Sequence, residues 1–139
     1  MSEFNKTLCV RFLDALGVGD TEVLGEVMHQ DFQAIAKGQA GISGSRGRDL
    51  VMETCRSFFP TVTQAGLNPK IISMTAEDDR VAVEWEAHCT LVNGTAYNQH
   101  YTFVFYIHEH KILKIHEYFD TKLTDTALLP LLNEMGLGH

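Results

Sequence analysis

One carboxylate in this chain stands where a folded protein has little structural use for one. In KILKIHEYFD, Leu113, Ile115, Glu117 and Phe119 alternate along a strand and share one side, while Lys114, His116, Tyr118 and Asp120 share the other. An acid set among Leu, Ile and Phe loses hydration, and full burial raises its pKa by up to about 3–5 units. Such a group moves protons near neutral pH, a contribution of about 10²–10⁴ in rate. The competing reading is a structural acid satisfied by backbone donors or by an arginine across the interior. Tyr101 and Gln99 lie on the adjacent strand with the same parity. They are candidate donors to a ligand carbonyl or a developing oxyanion, or else rim groups whose polar ends bond within the protein. Trp85 and Phe119 read as neighbouring walls of a ligand pocket, with Phe12 and Phe32 as further lining.

Other reactive side chains form weaker patterns. His88 and His100 fall on neighbouring strands, but the same parity puts them outside with Glu84, Glu86, Tyr118 and Asp120. A one-residue slip in register would bring that polar set inside, at the cost of exposing Trp85 and the phenylalanines. His108-Glu109-His110 has the look of a metal-ligand fragment, yet it falls at a tight turn with no third ligand in sight, so no metal is expected. Cys9, Cys55 and Cys89 are far apart in apolar contexts and read as buried free thiols of a reducing compartment.

The elements that must hold Glu117 follow from periodicity. Phe4, Leu8, Phe12 and Leu16 give a helical stripe from about Glu3 to Leu16, capped by Ser2 and ended by Gly17 and Gly19. Asp20 caps a second short helix, and DFQAIAK is a short strand. GQAGISGSRG lacks the order of a phosphate-binding loop and reads as a flexible loop over a cavity mouth. A third helix opens at Arg48-Asp49, with Pro60 marking its end. A strand over Ile71–Ala76 precedes three long strands. Their inward rows are Val81, Val83, Trp85, Ala87, Cys89 and Leu91, then Tyr101, Phe103, Phe105 and Ile107, then Leu113, Ile115 and Phe119. These rows share a face only if the Asn93-Gly94 turn is a three-residue loop. The order predicts an α+β fold, with three helices packed on the concave face of a strongly curved, mostly antiparallel sheet around a cavity.

The chain's 139 residues predict a single domain over 1–139, with no linker or repeat. Eleven Lys+Arg against eighteen Asp+Glu give a net charge of -7, which disfavours nucleic acid and anionic membranes. No apolar run approaches the ~20 residues of a membrane span, and the first residues lack a secretory pattern. A cytoplasmic location is expected.

Helix 1, the capped helix 2, the Gly47–Val51 start of helix 3 and the hairpin YTFVFYIHEHKILKIHEYFD together resemble the SnoaL-like, ketosteroid-isomerase-like family of the nuclear-transport-factor-two-like superfamily. The resemblance spans essentially the whole chain and implies a cone-shaped fold. Ketosteroid isomerase places its aspartate base where this chain has Ala36, and its helix-1 tyrosine has no counterpart. Limonene-epoxide hydrolase places an arginine and an aspartate near Trp85 and Ala87, and a tyrosine and an asparagine near Ala34 and Ala36. Only its last-strand acid is matched, by Glu117. What the resemblance implies is therefore a small cofactor-independent enzyme using acid/base chemistry on a small apolar organic molecule. A single acid suits isomerisation, cyclisation, dehydration or hydration alike. The alternative is a non-catalytic ligand-binding or protein-interaction module of the same fold. A homodimer through the outer face of the long strands is expected, because Val104, Tyr106 and Tyr118 leave apolar area there. TALLPLLNEMGL is expected to form a short helix or turn, interrupted at Pro130, over the cavity end or on a partner.

Overall fold

The computed structural model describes residues 2–137. Helix α1 (Ser2–Val18) buries Leu8, Cys9, Phe12, Leu13 and Leu16 of the stripe that periodicity predicts, but its first member, Phe4, is exposed in the opening turn. Ser2 lies within this helix, not ahead of it. Asp20 caps α2 (Thr21–Val27), accepting from Val23 N at 3.1 Å. Strand β1 (Met28–Ala36) follows directly and is longer than its apolar core suggests.

The glycine-rich stretch is not wholly a loop. Gly44–Gly47 forms β2, an edge strand antiparallel to β1, and Ser43 ties the preceding turn through Ala40 N and Lys37 O. Then comes α3 (Arg48–Glu53), a π-helical turn (Thr54–Phe58) and α4 (Phe59–Val62). Pro60 therefore sits inside a continuing helix. A proline ring normally clashes with the carbonyl four residues back. Here the turn ahead of it is widened, with Phe59 N–H bonding Thr54 O. The C-terminal helix uses the same device. Between α5 (Thr121–Leu123) and α6 (Leu129–Glu134), the π-helical turn Thr124–Leu128 lets Leu129 N–H reach Thr124 O just before Pro130. The described residues thus hold four helical stretches, one more than the three predicted, and the last buries Leu128, Leu131 and Leu132 in the core.

Strands β3 (Lys70–Glu77), β4 (Arg80–Glu86), β5 (His100–His108) and β6 (Lys111–Phe119) complete a six-stranded sheet of order β2-β1-β6-β5-β4-β3. Only the β1–β6 pair is parallel. Past Glu86 the hairpin continues irregularly, with Leu91 N bonding Thr95 O across a three-residue loop and Gly94 at φ +87°. That loop fixes the parity the sequence required, and Val81, Val83, Trp85, Ala87, Cys89 and Leu91 are all buried. The second turn, at Glu109-His110, has both residues at positive φ, the geometry of a two-residue hairpin turn.

Candidate active site

A bulge decides which β6 side chains face inward. Tyr106 pairs with Lys114, but Ile107 pairs with Ile112, so Leu113 is an extra residue on β6. Ile112, not Leu113, takes the sealed inward position beside Ile115, and strict alternation resumes at Ile115, Glu117 and Phe119. Glu117 then stands in one cross-sheet row with Ala36 and Phe103, which in turn pairs with Val83. The row on its deeper side is Ala34, Ile115, Phe105 and Val81; the row on its outer side is Phe119, Tyr101 and Trp85.

Burial differs sharply between these rows. Ala34, Ile115, Phe105 and Val81 are sealed, whereas Glu117, Tyr101 and Phe119 are each half-buried. Next to Glu117 the sheet carries small residues. Ala36 is its β1 partner, and Gly44 pairs with Ala36 and has open space where a side chain would begin. These features make the outer end of the concave face, here called the recess, less tightly covered than the deeper end; the surface grooves beside Ile72 and beside Gln30 are not lined by Glu117.

The Glu117 carboxylate is crowded enough by protein to be desolvated, and its pKa is pushed up to about 7 by that burial. The Arg46 guanidinium, on β2, opposes the shift through its charge alone, without a salt bridge. No described side chain or backbone group bonds the carboxylate. A structural acid would have such partners, so this one is desolvated but unspent.

Tyr101 stacks on Trp85, with centroids 4.2 Å apart and planes at 13°, and lies 6.3 Å from the Phe119 ring. Its hydroxyl lies toward that of Tyr97 without a hydrogen bond of ordinary geometry, and burial raises its pKa well above the ordinary value. Tyr97 in turn bonds Thr124 Oγ1 at 2.7 Å. Trp85 also meets Phe103 edge-on at 5.1 Å and is the largest fully buried side chain.

Three expected assignments change. Gln99 is fully occupied: Nε2 donates to Asp120 O at 2.9 Å and to Thr124 Oγ1 at 3.0 Å, and Oε1 accepts from His100 N and Asp120 N at 2.9 Å. It staples the end of β6 to the C-terminal helix and has no amide left for a ligand. Phe12 and Phe32 pack on each other, Phe12 also meets Phe105, and both phenylalanines are sealed in the core below the recess. They are floor, not lining.

His88 and His100 point outward around Glu86, at 3.9 and 3.3 Å, in solvent-exposed positions. His108 and His110 are exposed at the hairpin turn, and among the described residues no cluster suits a metal. His29, unremarked in the sequence, is buried, accepts from Asp31 N and meets Glu109 at 3.1 Å. All three cysteines are free and buried, and burial pushes the Cys55 thiol up to about 12. Arg46 was also missed. Its only signal was that Arg46 and Arg48 form the one close pair of basic residues, in a segment that reads as loop ahead of a helix.

A family model describing SnoaL-like domains matches residues 9–115. The chain belongs to the SnoaL-like family. Comparison with curated proteins finds no match. Among solved structures, this SnoaL-like protein is similar to PrhC from Penicillium brasilianum, at 14% identity and TM-score 0.80, over 98% of this chain and 92% of that one. It is also similar to a putative SnoaL-like polyketide cyclase from Jannaschia, at 14% identity and TM-score 0.74, over 92% and 94% of the two chains. A third is an LEH-like epoxide hydrolase from M. tuberculosis, at 20% identity and TM-score 0.73, over 98% and 97%. These likenesses establish the cone-shaped fold. No helix among the described residues is long and apolar enough to cross a membrane.

Proposed function

We propose that this SnoaL-like protein is a small enzyme that moves a proton within a small, largely apolar organic molecule held in the recess. Glu117 is the proton carrier. The observation that carries this reading is a carboxylate desolvated to a pKa of about 7 with no protein partner. Such a group takes a proton in its ionised form and returns it in its neutral form at the same pH. Tyr101, beside the Tyr97–Thr124 hydroxyl pair, holds the substrate against it, and Phe119 supplies apolar wall. That similar folds carry the descriptions polyketide cyclase and epoxide hydrolase accords with chemistry on compact organic substrates.

A panel of small apolar ketones, epoxides and tertiary alcohols tests this. Thermal shift finds binders by mass action, and NMR follows their conversion. At least one binder converted by the wild type and not by Glu117→Gln is expected. Binders with no conversion would favour a binding module, the reading that Ala34, Ala36 and Ala87 support by standing where related enzymes carry catalytic groups. No binder at all would remove the recess from the argument.

We also propose a homodimer through the outer sheet face. A groove of about 340 Å³ there is lined by Ile72, Glu84, Glu86, His100 and Tyr118, with Ile72 52% and Tyr118 46% exposed. Glu84 and Glu86 stand beside His100 on this patch, so an acid of one copy can meet the imidazole of another across a two-fold axis. Sedimentation at micromolar concentration showing a monomer would remove the dimer.

A further inference from the structure

Neither the groove beside Ile72 nor the one beside Gln30 is lined by Glu117, so a substrate meets the acid only if something covering it moves. Two segments leave the sheet beside it. Residues 37–43 run on from Ala36, the β1 partner of Glu117, and their first amide, Lys37 N, donates to Glu117 O at 2.8 Å. The C-terminal helix starts from Asp120, three residues past Glu117. Its sealed leucines set that helix on the concave side, and there the two segments meet. Gly41 N, near the apex of the loop, donates to Asp125 Oδ1 at 2.8 Å, and a side chain at Gly41 would begin 2.7 Å from Leu129 Cδ2.

The two sides of this seam are held very differently. On the helix side, Gln99 bonds Asp120 N, Asp120 O and Thr124 Oγ1, and Leu128, Leu131 and Leu132 are buried in the core. The loop is tied mostly to itself and to β2. Ser43 Oγ accepts from Ala40 N and donates to Lys37 O, and Ile42 O accepts from Arg46 Nη2. None of these bonds crosses the seam. The loop's apolar groups are Ala40 and Ile42, against three buried leucines opposite. Gly38 and Gly44 bracket it at φ +89° and +138°, where glycine turns at little cost, and Gly44 has open space around it. What holds the apex to the helix is one exposed hydrogen bond and the Leu129 contact.

We infer that residues 37–43 are a lid over Glu117, latched at the apex by Gly41 and Asp125, and that this lid, not the C-terminal helix, lifts to admit a substrate. The inference rests on Glu117 as the reacting group and adds the route by which a substrate reaches it. Closed, the lid helps exclude water from the carboxylate; open, it lets a small apolar molecule in.

Access is measured with dicyclohexylcarbodiimide, an apolar reagent that modifies protonated carboxyl groups, and the adduct is located by peptide mass spectrometry. At pH 6 Glu117, its pKa raised to about 7, is mostly protonated, while solvated carboxylates that titrate near 4 are ionised. Asp125→Ala removes the latch and leaves the buried face of the helix intact. Losing one hydrogen bond favours the open lid by about fivefold, so Glu117 is labelled about fivefold faster than in wild type. Thr126→Val, on the exposed side of the same helix, is labelled at the wild-type rate. A second measurement needs no variant: the Gly41 amide exchanges hydrogen about tenfold or more ahead of the Leu131 and Leu132 amides.

Equal labelling of Asp125→Ala and wild type, no labelling of Glu117 in either, or a Gly41 amide as protected as those of Leu131 and Leu132 each overturns the lid. Faster labelling of Thr126→Val as well overturns it too, because the helix would then be loosening as a whole. The acid/base reading fails separately, by wild-type turnover in Glu117→Gln. Labelling that still answers to Asp125 would in that case leave the lid standing over a binding site.

Discussion

Strands β5 and β6 run through two environments within a few residues. At the closed end, Phe105 and Ile115 face each other with Phe12, Phe32 and Ile112 around them, all sealed. One step further along the same strands, Phe103 faces Glu117, and beyond them Tyr101 and Phe119 keep part of their surface. The parity, strand pairing and backbone geometry are the same at both ends. The difference lies in what covers them. The α1 stripe fills the closed end with leucines and phenylalanine, while the small Ala36 and Gly44 stand beside Glu117 at the other end, which is less completely covered. The closed end holds the fold together, and the open end is where a charge can be kept.

If the open end is the reactive one, Glu117→Gln gives the largest effect. The amide keeps the shape and cannot exchange a proton, so turnover of any converted substrate should fall about 10²–10⁴-fold. Affinity should change little. A Gln variant with wild-type turnover would erase the distinction between the two ends.

The matching experiment at the closed end is Phe105→Ala. It opens a void among Phe12, Phe103 and Ile115 and should cost about 3–5 kcal/mol in chemical denaturation. Here the loss is in stability, with binding affected only through the folded fraction. A cost under about 1 kcal/mol would mean the closed end is not tightly packed.

The pH dependence of stability sharpens the contrast. Glu117 has its pKa raised by desolvation to about 7, whereas an unfolded glutamate titrates near 4.3. Below about pH 4 the residue is neutral in both states and costs nothing. As pH rises toward 7 the unfolded chain ionises first, and the folded state loses ground. Above about 7 the full penalty is present, at most about 4 kcal/mol and less because the side chain is only half-buried. The denaturant midpoint of Glu117→Gln relative to wild type should therefore rise between pH 3 and pH 8. No gain at pH 8 would show that the acid is well solvated.

The sequence made some of this legible and hid the rest for physical reasons. Parity over β4, β5 and β6 placed Trp85, Tyr101, Phe103 and Glu117 on one face, because apolar alternation there is long and uninterrupted. The bulge at Leu113 was invisible, since either Ile112 or Leu113 satisfies an apolar pattern and only three-dimensional pairing chooses between them. Strand β2 was hidden because Gly-Ser-Arg-Gly has no hydrophobic period, and with it went Arg46 and the gap at Gly44. Pro60 and Pro130 looked like helix ends because a π-helical turn leaves no signature in residue type. Gln99 showed the right parity, but its bonds to Asp120 and Thr124 depend on where residues more than twenty positions away return to it.

Tyr101 offers the smallest test and the most discriminating one. Its hydroxyl lies between the two regions, near Tyr97 on one side and within the charge field of Glu117 on the other. If it serves only as a polar neighbour of the Tyr97–Thr124 pair, Tyr101→Phe costs at most about 1 kcal/mol of stability. Thr124→Val, which breaks that pair further from the recess, should then look alike in stability and leave turnover alone. If Tyr101 also holds the substrate, the two variants separate. Both lose at most about 1 kcal/mol, but only Tyr101→Phe raises KM, by about tenfold, with kcat nearly unchanged. A fall in kcat as large as that of Glu117→Gln would make Tyr101 a proton-transfer partner in its own right. Identical kinetics in Tyr101→Phe and Thr124→Val would confine it to a structural role and leave Glu117 as the recess's sole reactive group.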